Sequence, residues 1–167
     1  IVFITGFTLL ITAVDVITNR LVSKKNKSEI VLLCLFIGIA IFCEWIGVKT
    51  NGADISLIWL HKCVKLVEFC IAPLISVAAA IAYGKVKRPK SVAALLTAHA
   101  AFEVLALFNK WVFSVDADNI YHREGLYWIY IVAFVLSVVY CFVCIVQGNR
   151  KYQARFGSVL ILILCFL

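Results

Sequence analysis

The sequence has no methionine, only two prolines, and charged residues at just 15% of its positions. The scarcity of charge excludes an ordinary soluble domain: 64% of the 167 residues are hydrophobic, against roughly 45–50% in soluble proteins, and mean hydropathy is +1.04. Missing too is any polar stretch long enough to fold as a soluble catalytic domain. No basic segment precedes the first apolar run, and Asp15 interrupts it where the apolar core of a leader would end, so no secretory signal peptide is expected. The absent methionine, the isoleucine at position 1 and the apolar run that reaches Leu167 lead us to expect an excerpt of a longer chain, with residues 1–167 forming a single transmembrane domain.

Seven cysteines (Cys34, Cys43, Cys63, Cys70, Cys141, Cys144 and Cys165) lie in or beside apolar runs, where a thiol behaves as a small buried hydrophobe. A disulfide framework is not expected. Cys141 and Cys144 make a C-x-x-C pair, but inside a helical span and without a second pair.

What is present is a succession of apolar runs. Residues 1–17 read as the end of a first transmembrane helix, 30–48 as a second, 55–83 as a third, 91–108 as a fourth, 126–146 as a fifth, and 159–167 as the start of a sixth. About 20 residues at about 1.5 Å each cross the hydrocarbon core. The third run exceeds that, so its first turns are expected to stand at the interface, with Gly84 as its stop. The fold class is therefore an all-α membrane protein, a polytopic bundle of about six spans.

Basic residues alternate between the connections. Arg20, Lys24, Lys25 and Lys27 fall in the first, Lys85, Lys87, Arg88 and Lys90 in the third, beside Pro89, and Arg150, Lys151 and Arg155 in the fifth, together eleven of the sixteen. The positive-inside rule assigns these loops to the cytoplasm of an inner (plasma) membrane protein and puts Ile1, residues 49–54 and residues 109–125 outside. The net charge of +7 then calls for no nucleic acid; the lipid bilayer is the expected partner. Asn26-Lys27-Ser28 fits a glycosylation acceptor on the wrong face for use.

Ionisable residues inside spans are functional-site hypotheses by default. His61, Lys65 and Glu68 follow i, i+4, i+7 and share one helical stripe. Glu44, Glu68 and Glu103 reach similar depth near the outer ends of three spans, His99 and Glu103 are i, i+4, and Lys65 can reach Glu68 at i, i+3. Two readings fit. One is a polar pocket open to the outside that takes a small ligand or ion; the other is structural pairing, with Lys65 neutralising Glu68 and Glu103 snorkelling to water. His61, His99, Glu44 and Glu103 could supply metal ligands, but their spacing is no metal motif. Neither metal nor cofactor is expected. Asp15 reads as a helix-end tie to the adjacent basic loop.

The longest connection is patterned. Residues 111–115 and 120–123 read as short strands around the polar turn Asp116-Ala117-Asp118-Asn119, a small outer β-hairpin over the cluster. Tyr121, His122 and Arg123 thereby join the candidate ligand-binding set. Asp116 and Asp118 suggest a calcium loop, but its Gly and its final Glu are missing. Trp111, Tyr127, Trp128 and Tyr130 also fit an interfacial aromatic belt.

The run from Val112 to Trp128, Val-Phe-Ser-Val-Asp-Ala-Asp-Asn-Ile-Tyr-His-Arg-Glu-Gly-Leu-Tyr-Trp, between two spans and followed by a basic loop, resembles the multi-span N-terminal sensor region of bacterial membrane-bound diguanylate cyclases. That region is related to the seven-span input regions of histidine kinases. Family members commonly carry Arg-Gly where this chain has Arg123-Glu124-Gly125. The resemblance implies a sensory input module for an outer or membrane-borne small ligand, with a following cytoplasmic domain that makes cyclic di-GMP from two GTP and pairs the chains as a homodimer. No catalytic residue of such a domain lies in this sequence. The rival expectation is a fragment of a transporter or channel with a polar pathway through Glu44, Glu68 and Glu103. No internal repeat supports it.

Overall fold

The computed structural model describes residues 2–20, 23–84 and 90–149. Lys85, Lys87, Arg88, Pro89, Arg150, Lys151, Arg155, Cys165 and the expected sixth span lie outside the described residues. Five helices and one hairpin follow in order: α1 (Val2–Thr18), α2 (Lys24–Thr50), a 3-10 turn (Ile55–Leu57), α3 (Ile58–Gly84), α4 (Lys90–Asn109), β1 (Phe113–Val115), β2 (Tyr121–Arg123) and α5 (Tyr127–Asn149).

Among the described residues four helical stretches are long and apolar enough to cross a membrane: Lys24–Thr50, Ile55–Gly84, Lys90–Asn109 and Tyr127–Gln147. The chain thus has the build of an all-α, multi-pass membrane protein, with four such spans among the described residues where about six are expected over the whole sequence. The first expected span is a helix whose apolar part, Thr5–Thr18, is short of a full crossing.

The chain enters α2 earlier than its composition suggests. Lys24, Lys25 and Lys27 read as loop, yet they form the first turns of the helix, because the Ser23 side chain accepts the Asn26 N–H at 3.3 Å and caps the end. Lys25 then faces Glu29 at 4.0 Å one turn on. The ends of α1 and α2 are tied by the Lys27 ammonium, which donates to the Ile17 carbonyl; among the described residues no ion pair joins Asp15 to the basic loop.

The hub is α3, which packs against α2, α4 and α5. Its start is set by Asp54, whose carboxylate accepts the Ser56 N–H at 2.8 Å and opens the 3-10 turn. Towards its other end, Ala78, Ala80 and Ala82 are buried and allow close helix approach. At Gly84 the backbones of α3 and α5 come close: a Cβ there would lie 3.0 Å from the Cys144 backbone of α5. Cys141 and Cys144 are buried as thiols in this contact with Ala80 and Ile145. Facing outwards are Phe7 and Leu10 of α1, Leu95 and Phe108 of α4, and Leu136 and Val139 of α5, all exposed as a surface for lipid requires.

The hairpin forms as its alternation predicts. Phe113 pairs with Arg123, Ser114 with His122 and Val115 with Tyr121, antiparallel. Its turn is made by Asp116, which accepts the N–H groups of Asp118 at 3.0 Å and Ile120 at 2.8 Å, and by Asn119 in the left-handed region at φ 58. The loop at 51–54 and the hairpin lie at one end of the bundle, joined by Gly52 N–H to Asn119 carbonyl at 2.9 Å and Tyr121 N–H to the Asn51 side chain at 2.9 Å.

Candidate functional site

The expected site residues occupy four neighbouring arrangements around α3. Lys65 holds the first. Its ammonium lies 2.8 Å from Glu68 on the next turn and 3.2 Å from Glu44 on α2, and 5.4 Å from the Tyr121 ring of the hairpin. The lysine reaches α2 because residue 47 is glycine: a Cβ there would stand 3.0 Å from Lys65 Cε. Two carboxylates thus share one cation.

One turn before, His61 is fully buried and meets Asn119 of the hairpin turn, Nδ1 to Oδ1, at 3.0 Å. The orientation of the amide follows from its other end. Asn119 Nδ2 donates to the carbonyls of Asp54 at 3.2 Å and Ala53 at 3.4 Å, so the oxygen faces the imidazole and Nδ1 carries the hydrogen. His61 Nε2 is buried and has no hydrogen-bond partner. Tyr121 flanks this group too, its ring 6.5 Å from that of His61, and burial pushes its phenol above the ordinary value.

The third arrangement is on α4. His99 Nε2 lies 3.3 Å from the Phe69 carbonyl of α3. In an α-helix that carbonyl would accept from residue 73, but Pro73 has no N–H to give. The acceptor on α3 is therefore vacant by sequence, and a side chain from another helix fills it. A carbonyl only accepts, so Nε2 carries the hydrogen. Glu103, a turn further along α4, has Oε1 at 3.8 Å from the same nitrogen, has no solvent exposure, and makes no hydrogen bond at either oxygen. Beside it lies an aromatic layer of Phe69, Phe113, Tyr127 and Tyr130, with Phe69 and Tyr130 rings 4.5 Å apart.

The fourth sits on the exposed hairpin surface. His122 Nε2 is 2.8 Å from Asp116 Oδ2, and Arg123 stacks over Tyr127 at 4.9 Å. The Ile120 amide foremost, then His122 and the Asp118 amide, holds the Asp116 carboxyl below the usual carboxylate range. With Asp116 committed to closing its own turn, the two aspartates form a hairpin corner. Among the described residues no group of three or more His, Cys, Asp or Glu could hold a metal ion.

Glu44, Lys65, Glu68 and Tyr121 are brought together, His61 joins them through Tyr121, His99 and Glu103 form a separate pair, and His122 and Arg123 stand outside both. A cavity of about 210 Å³ lies elsewhere, lined by Glu29, Leu32 and Phe36 of α2, Val77 of α3, and Val92 and Leu96 of α4. Sequence reasoning missed Asn119 and the Phe69 carbonyl. Both had a signal: Asn tolerates the left-handed region, and a proline within a helix leaves the carbonyl four residues earlier without its donor.

No protein-family model, no curated protein and no solved structure matches this chain.

Proposed function

We propose that the chain is a membrane-embedded sensory input domain, seated in the inner membrane with the hairpin outside, whose helices pass the state of an outer polar layer to a cytoplasmic diguanylate cyclase. The observation that carries this reading is the stitch between cap and hub. The hairpin corner is bound to α3 through Asn119 and His61, at 3.0 Å, and α3 is also the helix with a proline-broken ladder. A stimulus that shifts the cap acts on one end of a helix already weakened near its middle. It biases two helix arrangements by its differential affinity for them. The Glu44, Lys65 and Glu68 trio, with Tyr121, is the part of the layer suited to a polar ligand, since each charge there can trade a protein partner for a ligand.

The test is Asn119→Ala in the full-length protein, with cyclic di-GMP measured in cells and folded protein measured alongside. Altered output at an unchanged level of folded protein supports the reading. Output that never varies with the integrity of the stitch removes it, and solute uptake into vesicles that depends on Glu44, Lys65 and Glu68 would establish a transporter in its place.

A further inference from the structure

Glu103 is a carboxyl group that the fold buries and then leaves alone. Its side chain has no exposure, both oxygens lack hydrogen-bond partners, and His99 Nε2 stands at 3.8 Å, beyond hydrogen-bond reach. The ionisable groups that face it are His99 on its own helix, Cys70 on α3 and Tyr130 on α5. None of these is a fixed positive charge. The hairpin adds Val112, Phe113 and the ring of Tyr121 to this layer, and none of them carries a positive charge. Lys65, the cation of α3, is committed to Glu44 and Glu68. An ionised carboxylate stripped of water with no counter-charge is strongly disfavoured, and such a group stays neutral by keeping its proton.

We infer that Glu103 is a proton-binding site, and that its proton decides which acceptor His99 serves. With the proton in place, the acid is neutral and the His99 Nε2–H remains on the Phe69 carbonyl. When the proton leaves for water, the O–H electron pair stays on the carboxylate. A charge-assisted hydrogen bond is roughly twice as strong as a neutral one. The Nε2–H therefore moves to Glu103, closing a gap that now stands at 3.8 Å. Phe69 then loses its replacement donor, and Pro73 cannot supply the original one. The ladder of α3 opens at that turn, the place where a proline-containing helix bends. The inference names a proton as a stimulus for the sensory domain and rests on that reading for its biological use, while the site is testable without it.

The experiment uses the purified chain in lipid nanodiscs. Infrared spectra and labelling with dicyclohexylcarbodiimide, which attacks protonated carboxyls in apolar surroundings, are recorded from neutral to alkaline pH. The expected result is a protonated-carboxyl band at neutral pH that fades on alkalinisation and is absent from Glu103→Gln, with the carbodiimide adduct mapped to Glu103 and falling in parallel. A folded wild-type chain with neither band nor adduct overturns the site. Hydrogen-exchange protection factors at residues 69–77 read the coupling: they drop on alkalinisation in wild type and stay level in Glu103→Gln and Pro73→Ala. Level protection in wild type overturns the coupling. A protonated Glu103 in a protein whose cyclic di-GMP output ignores pH supports the site and removes the sensory reading; an ionised Glu103 beneath a pH-responsive output does the reverse.

Discussion

His99 donates to the carbonyl that Pro73 leaves vacant, at 3.3 Å, so a side chain of α4 completes the hydrogen-bond ladder of α3. The two residues lie on different helices, yet each accounts for the other. Without Pro73 the carbonyl would have its own N–H; without His99 it would be an unpaired acceptor in an apolar layer.

A double-mutant cycle measures this dependence. His99→Ala in the native background orphans the Phe69 carbonyl and is expected to cost about 1–3 kcal/mol. In Pro73→Ala, residue 73 regains its N–H and the same change should cost less by at least about 1 kcal/mol, since the loss of ring packing against Tyr130 is common to both backgrounds and cancels. Unfolding in detergent checks it, and strictly additive costs would show that the two residues are independent.

Asn119 carries a second dependence. It is fully buried, holds φ at 58, and links His61 to the carbonyls of Ala53 and Asp54. Asn119→Ala loses these bonds and also meets the left-handed penalty of about 1–2 kcal/mol, whereas Asn119→Gly loses the bonds alone. Alanine is therefore expected to be the more destabilising of the two by about 1 kcal/mol. Equal losses would mean that the backbone at this turn moves freely to an extended form.

These two residues also mark the limit of what the chain shows as a string. Apolar runs disclosed the helices because a membrane span must be continuous and about 20 residues long, and the hairpin announced itself by alternation around a polar turn. Pro73 carried a signal for the vacant acceptor at Phe69 that the sequence reading did not use. The donor could not be read, because His99 lies 30 residues away and meets Phe69 only through the axial register of α3 against α4. Pairing within one helix was legible for the opposite reason: Lys65 with Glu68 and His99 with Glu103 follow from helical spacing alone. The start of α2 was concealed by three lysines, and the Ser23 cap decided against them.

The hairpin corner should depend on pH through Asp116. Its carboxyl in the folded chain titrates below the ordinary value, chiefly because the Ile120 N–H binds the charged form. A depressed folded value contributes stability that is fully present above the unfolded value, about 3.9, and is lost as pH falls through the folded one. Hairpin order is therefore expected to be constant from neutral pH to just above the unfolded value and to decline below it. Amide protection at Asp118 and Ile120, corrected for intrinsic exchange, reports the transition, and Asp116→Asn should remove it. A transition centred near neutral pH would point to another group.

The last prediction concerns the lysine that serves two carboxylates. Glu44 is 53% exposed and Glu68 22% exposed at the side chain, although both sit within 3.2 Å of the Lys65 ammonium. Water can replace the lysine at Glu44 far more readily than at Glu68. Neutralising Glu44 as Glu44→Gln should therefore change stability by no more than about 1 kcal/mol, the range of an exposed pair. Lys65→Met leaves the more buried Glu68 without its cation and is expected to cost about 1–3 kcal/mol, below the value for a fully buried pair because Glu68 keeps partial access to water. Adding Glu68→Gln to Lys65→Met should recover most of that loss, since the stranded charge is then gone. Gly47→Ala gives an independent approach: its Cβ would press on Lys65 Cε and turn the ammonium from Glu44 while leaving Glu68 in reach. It should resemble Glu44→Gln in stability and not Lys65→Met. Thermal unfolding of the four variants in one detergent orders them, and a loss in Gly47→Ala as large as in Lys65→Met would show that the close approach of α2 and α3, not the ion pair to Glu44, is what the glycine protects.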